Sequence, residues 1–315
     1  MVGLLFPGQG SQFVGMGRDL ADAWPEARAV FEEVDDVLGL PLSRLAWEGP
    51  DEELTATSNA QPAILTHSIA VYRVVRDRLG SAGIAAGHSL GEFSAYVAGG
   101  MLSLADGVAI VRRRGELMQQ SGEQRPGTMA ALLGLDDETV EQVCREASSG
   151  GGACVPANYN SPGQLVISGD VPAVERAMEL AKAAGARRAV RLNVSGAFHS
   201  PLMDVAEQGL DAQLATANFA TPSFPVVSNV TAAAVTDVDE ARRLLVAQLT
   251  SPVRWTASLR TMLDAGTEQF FEIGPGNVLT GLLRRIERSA VCTALGTLSD
   301  VDALGAGREA GWSRS

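Results

Sequence analysis

Cysteine is scarce in this chain of 315 residues: Cys144, Cys154 and Cys292 are an odd number and show no C-x-x-C spacing. That argues against a disulfide framework and a zinc site, so no metal is expected, and the thiols read as reduced filler in a cytoplasmic protein. Long apolar runs are missing too. None approaches the roughly 18–20 residues that cross a bilayer, so a soluble protein with no membrane partner is expected. The N-terminus MVGLLFPGQGSQ has no basic segment and too short an apolar run for a signal peptide, and it reads as part of the fold. Positive charge is in deficit, with 25 Lys and Arg against 37 Asp and Glu and a net charge of −12. Nucleic acid would need a basic patch, and is not expected as a partner. Histidine is also rare: there are three, which shortens the search for a catalytic base.

What is present fits a globular α/β protein. Apolar residues make up 46% and charged residues 20% of the chain, near the averages for such proteins. A single core stops growing at roughly 250–300 residues, so a chain of this length can bury one large core or a main domain with a smaller one attached. VGLLFPG reads as a short buried strand ended by Pro7 and Gly8. Helical patterns follow at about 17–36 and 60–79, then a small strand IAAGHS that runs into a helix within GHSLGEFSAYVAGG. Alternation of strand and helix predicts a layered α/β fold with a parallel sheet.

From about residue 127 the rhythm changes. TMAALLGL, DDETVEQVCREA, CVPANYN, QLVISG, VPAVERAMELAKAAG and RRAVRLNV read as β-α-β-β-α-β, the order of a ferredoxin-like unit inserted at 127–194. The α/β pattern then resumes: a helix at about 201–217, the strand FPVVSN, helices near 238–250 and 253–266, the strand QFFEIG, the helix NVLTGLLRRI and the strand VCTALG. The main domain is therefore discontinuous, over 1–126 and 195–300. The stretch 301–315, poor in apolar residues, is expected to be a flexible tail.

Gly87-His88-Ser89-Leu90-Gly91 is a G-x-S-x-G sequence between an expected strand and an expected helix. That context suits a nucleophile elbow: a sharp turn presents the serine hydroxyl, and the backbone N–H of Leu90 can face an oxyanion. A serine needs a base, and His199, in SGAFHS where the chain re-enters the main domain, is the best placed of the three histidines. His67 sits in an apolar helical run and reads as structural. His88 adjoins Ser89 in the elbow, so its side chain should point away from the hydroxyl and can still line the pocket. No acidic residue announces itself as the partner of His199, and a backbone carbonyl would serve as well. A second oxyanion donor can come from the loop PGQGSQ, which reads equally well as a plain turn.

With these pieces assembled, the chain resembles the malonyl-CoA:acyl carrier protein transacylases of fatty acid synthesis and the related acyltransferase domains of polyketide synthases. The resemblance runs through FPGQGSQ (6–12), GHSLGE (87–92), RRRGELMQ (112–119), NYNSPGQLVISG (158–169), SGAFHSPLM (195–203) and EIGPGNVL (272–279). It implies an α/β-hydrolase-like domain carrying a ferredoxin-like insertion. It further implies that Ser89 is acylated with His199 as base, that Gln9 and Leu90 form the oxyanion hole, and that the carbonyl of Gln248 orients His199. Arg114 matches the family's arginine for a substrate carboxylate, a group that a guanidinium fork recognises bidentately. Arg112 and Arg113 should point elsewhere on the helix. Asn160 and Gln61 match residues near the family's pocket, although an asparagine before Ser-Pro also suits a turn.

The expected reaction is ping-pong transfer of malonyl from malonyl-CoA to the phosphopantetheine thiol of an acyl carrier protein, with no metal or redox cofactor. Phe198, in Ala197-Phe198-His199, and Leu90, in GHSLGE, both match the malonyl-selective members rather than those that take methylmalonyl. A polyketide-serving acyltransferase shares every motif. A serine hydrolase would use the same elbow and base, but has no need of Arg114, and a non-catalytic binding module has no need of nucleophile and base together. Both partners are anionic, so arginines such as those at 112–114, 187–188 and 284–285 would have to gather locally against an acidic whole, unless they merely solvate helix faces.

Overall fold

A computed structural model describes the backbone of residues 1–311 and the side chains of residues 1–304. Ten strands are present among the described residues: β1 (Val2–Phe6), β2 (Ala82–Gly87), β3 (Gly127–Leu133), β4 (Cys154–Ser161), β5 (Gln164–Asp170), β6 (Arg188–Arg191), β7 (Val226–Val227), β8 (Ala234–Val235), β9 (Gln269–Ile273) and β10 (Val291–Leu295). They form two sheets. The larger has the order β10-β9-β1-β2-β7-β8, parallel except for the antiparallel edge pair β7-β8. Leu4, Leu5 and Phe6 in its centre are fully buried, as expected of a parallel strand covered by helices on both faces.

The smaller sheet, β4-β5-β3-β6, is antiparallel and follows the chain order strand, helix, strand, strand, helix, strand. Its faces divide by the two-residue period of β3. Ala130 and Leu132 pack with Val140, Val143, Val174 and Ala177 of the two helices, while Met129, with Val166 of β5, belongs to the main core. One face of this sheet therefore carries its own core and the other closes over the main domain. The attachment includes backbone bonds: Tyr159 N–H donates to the Val253 carbonyl at 2.9 Å, and Val253 N–H to the Ala157 carbonyl at 2.8 Å.

Several expectations need adjustment. The strand expected over RRAVRLNV is confined to Arg188–Arg191 and that over FPVVSN to Val226–Val227, while β8 is too short to show a period in sequence. The stretch expected to be a flexible tail from 301 continues a helix, Leu298–Gly311, in which Val301 is fully buried. Residues 312–315 of that stretch lie outside the described residues. No helix is long and apolar enough to cross a membrane among the described residues.

Candidate active site

The site lies where the loops after β1, β2 and β7 leave the carboxyl ends of parallel strands, the usual place for ligands in such sheets. β2 ends in Gly87, and the helix Leu90–Ala98 begins directly after Ser89, which takes φ 51° and ψ −107°. A non-glycine residue in this region is strained, and the strain is held by its surroundings. The flanking glycines are needed for space rather than for φ, since neither has a positive φ. A Cβ on Gly87 would overlap the Gly91 carbonyl, and one on Gly91 would overlap the Phe6 carbonyl at the end of β1. The elbow is thus pressed onto the neighbouring strand. Asn229, after β7, clamps it: its Oδ1 accepts the Ser89 N–H at 2.7 Å and its Nδ2 donates to the Gly87 carbonyl at 2.7 Å.

Ser89 Oγ stands 2.8 Å from His199 Nε2, and His199 Nδ1 stands 2.9 Å from the Gln248 carbonyl. A carbonyl can only accept, so the proton sits on Nδ1 and leaves Nε2 free to accept from the serine. His199 is 4% exposed and, like Ser89, has a positive φ, of 56°. Burial first, and then the nearby guanidinium of Arg114, hold its imidazole down at about 3, against an ordinary 6.5. The ring is therefore neutral at physiological pH, with Nε2 able to accept a proton.

Arg114, in the helix Leu104–Gln124, is 1% exposed. Its Nη1 donates to Gln61 Oε1 at 2.7 Å, and its Nη2 to Gln248 Oε1 at 2.9 Å and to Ser89 Oγ at 3.1 Å; Nε has no partner among the described residues. The glycine after it explains the reach. A Cβ on Gly115 would lie 2.6 Å from the Thr57 carbonyl, so its absence lets this helix press against the start of the helix Thr57–Leu79, which carries Gln61. Arg112 and Arg113 turn to Glu116 instead.

A cleft of about 540 Å³ opens in front of Ser89, lined by Gln9, His88, Asn160, Phe198 and His199 from the residues expected in sequence, and by Met129 of the smaller sheet among others. His88 turns away from the serine hydroxyl, with Nε2 at 2.8 Å from Asn160 Oδ1 and its ring tilted against Trp255. Burial lowers its basicity. The backbone N–H groups of Gln9 and Leu90 have no hydrogen-bond partner among the described residues, while the Gln9 side chain is held by Thr57 Oγ1 at 3.1 Å. All ten residues expected in sequence are therefore gathered in or beside one cleft. His67 lies apart, fully buried, as a structural histidine does.

Two participants were not read from the sequence, Asn229 and Glu92. Glu92 is fully buried; its Oε2 accepts the Gln248 Nε2–H at 2.7 Å and the Asn229 N–H at 3.0 Å. The GHSLGE hexapeptide contains Glu92, but nothing near Asn229, in VVSNVTA, marks it out. Among the described residues no group of acidic, histidine and cysteine side chains has the geometry to hold a metal ion.

The acyl transferase domain family matches residues 4–304 of this chain. A Bacillus subtilis (strain 168) protein named malonyl CoA-acyl carrier protein transacylase is 46% identical over 287 residues, which span 91% of this chain and 90% of that one. The crystal structure of an acyl carrier protein S-malonyltransferase from Vibrio cholerae superposes with a TM-score of 0.93 at 42% identity, over 96% of this chain and 99% of that one. A malonyl-transacylase solved in complex with its type II PKS acyl-carrier protein gives the same TM-score and identity, over 96% of this chain and 98% of that one.

Proposed function

The chain belongs to the acyl transferase domain family, and from that premise we propose that it moves malonyl from malonyl-CoA to the phosphopantetheine thiol of an acyl carrier protein through an ester on Ser89. The observation that carries this reading is the Arg114 guanidinium, buried and 3.1 Å from Ser89 Oγ. A buried cation against the serine hydroxyl favours an acyl group that ends in a carboxylate, as malonyl does and acetyl does not. A hydrolase of neutral esters has no use for it.

In the first half-reaction His199 Nε2 takes the hydroxyl proton as Ser89 Oγ attacks the thioester carbonyl. The developing oxyanion is met by the free N–H groups of Gln9 and Leu90, and the imidazolium is stabilised through Nδ1–H and the Gln248 carbonyl. The C–S bond breaks, His199 returns its proton to the sulfur, and coenzyme A leaves as the thiol. In the second half the carrier's thiol gives its proton to His199 and attacks the ester, and the proton then returns to Ser89 Oγ. No step calls for a metal or redox cofactor.

Phe198 beside the base leaves little room for an α-methyl group, which favours malonyl over methylmalonyl. The same chemistry on a polyketide carrier is the second reading, supported by the likeness to the malonyl-transacylase solved with a type II PKS acyl-carrier protein. We also read residues 1–126 and 195–300 as an α/β-hydrolase-like domain and 127–194 as a ferredoxin-like subdomain. The strand order β4-β5-β3-β6 and its β-α-β-β-α-β sequence support the latter. A cytoplasmic location fits the three free cysteines.

The test is incubation with malonyl-CoA alone, followed by peptide mass spectrometry. One malonyl mass should appear on the peptide that contains Ser89, and Ser89→Ala should abolish it. An adduct that survives in that variant, or sits on a cysteine, refutes the mechanism.

A further inference from the structure

We propose that Glu92 is a positioning residue for carboxylate selectivity: it fixes which way the Gln248 amide faces, and the amide fixes where the Arg114 guanidinium sits. This rests on the malonyl-transfer reading above. The chain of contacts is short. Glu92 Oε2 accepts Gln248 Nε2–H at 2.7 Å, and on the other side of that amide Gln248 Oε1 accepts Arg114 Nη2–H at 2.9 Å. An amide is a donor at one end and an acceptor at the other. Without an acceptor at Glu92 the amide N–H groups keep only the longer bonds to the Ser89 carbonyl, at 3.1 Å, and Asn229 Oδ1, at 3.4 Å, and a flipped amide would turn them toward the N–H groups of Arg114. The guanidinium would then lose one of the acceptors that aim it at the acyl pocket.

Three features make this a matter of positioning rather than of charge. Glu92 and Arg114 feel each other's charge through space but make no direct ion pair, and Gln248 stands between them. Both of its bonds enter one oxygen, Oε2, while Oε1 is buried with no partner among the described residues. Burial raises this carboxyl to about 7, and a proton on Oε1 would leave the accepting oxygen as it is. Glutamine at this position can therefore reproduce the arrangement, because its amide oxygen can take the place of Oε2. Leucine cannot. The nucleophile has its own hold in the Asn229 side chain, which bonds the Ser89 N–H and the Gly87 carbonyl; Glu92 supports that clamp through the Asn229 N–H, and a weaker clamp would burden both acyl groups alike.

The experiment compares kcat/KM for malonyl-CoA and acetyl-CoA in the wild-type protein and in Glu92→Leu and Glu92→Gln, with a neutral arylsulfonyl fluoride to report the reactivity of Ser89. Glu92→Leu should lower the malonyl-to-acetyl ratio by about 10- to 100-fold, the scale of a misplaced binding group, and the ratio should fall by more than sulfonylation does, since a loss of Ser89 reactivity is shared by both acyl groups. Glu92→Gln should restore the ratio. In a Gln248→Met background the leucine change should alter the ratio by less than about twofold, because the two residues act through one contact. If Glu92→Leu does not fold, Glu92→Asp, which withdraws the carboxylate by one methylene, takes its place with the same expected direction. An unchanged ratio in the folded variant, or a Glu92→Gln enzyme as impaired as Glu92→Leu, overturns the proposal. A wild-type enzyme without preference for malonyl would instead overturn the function on which it rests.

Discussion

Arg114, Phe198 and His199 each carry a prediction that one substitution or one titration can check. Arg114→Ala should cut malonyl transfer by about 30- to 1000-fold, or roughly 2–4 kcal/mol for a lost charge-assisted contact, while acetyl transfer falls little or rises. Equal loss for both acyl groups would reduce Arg114 to a support of the fold. Wild-type protein should prefer malonyl-CoA to methylmalonyl-CoA by at least about tenfold in kcat/KM, and Phe198→Ser should narrow that ratio. Comparable labelling of Ser89 by the two thioesters in competition would contradict it. His199 makes the third case. Its folded value of about 3 lies below the ordinary 6.5, so the base is neutral throughout the range in which a solvent-exposed histidine titrates. The kcat/KM for malonyl-CoA should therefore stay level between about pH 5 and 7, and an acid limb near 6.5 that persists in Glu92→Gln, where the carboxyl at about 7 is gone, would show that His199 is far less buried than described. The same shift bears on stability. A group whose folded value is depressed gives a contribution that is complete above 6.5 and is lost as the pH falls from there towards 3.

Between the residue and the molecule stands the elbow, two elements joined by a turn under steric pressure. Gly91 faces the Phe6 carbonyl and Gly87 faces Gly91, so the helix that follows Ser89 touches the sheet through bare backbone. Gly91→Ala should lower stability by about 1–3 kcal/mol, as overfilling a packed contact does, and should slow Ser89 acylation. Wild-type values for both the unfolding midpoint and acylation would mean that the helix can shift at no cost. The elbow was legible in sequence because a glycine-serine pattern between a strand and a helix has few other uses. The clamp was not. Asn229 is 140 residues from Ser89 and lies in a loop beside a two-residue strand, so no local period or motif points to it. Gln248 was read for its carbonyl, yet its side chain also touches Arg114, Glu92 and the Ser89 carbonyl, a convergence that only the packed chain displays.

Across the whole molecule, the alternation of strand and helix foretold a largely parallel sheet, and the change of rhythm near residue 127 foretold the second sheet. The backbone bonds between β4 and Val253 were not foretold, because a bridge of so few residues leaves no mark on hydropathy. The smaller sheet supplies Met129, Asn158, Asn160 and Val166 to one wall of the cleft, so the pocket takes its shape only when both parts of the chain are in place. The same cleft shows how little of the acidic surface reaches the reacting atoms. Behind the nucleophile the fold encloses a guanidinium whose partners are two amides and a hydroxyl, none of them an anion. The nearest buried carboxyl, Glu92, acts on this cation from behind Gln248, so on the malonyl reading the acyl carboxylate would be its direct anionic partner. Acylation should then act on the protein as well as on the substrate: malonylated protein is expected to unfold at a higher temperature than acetylated protein, and equal midpoints would contradict it.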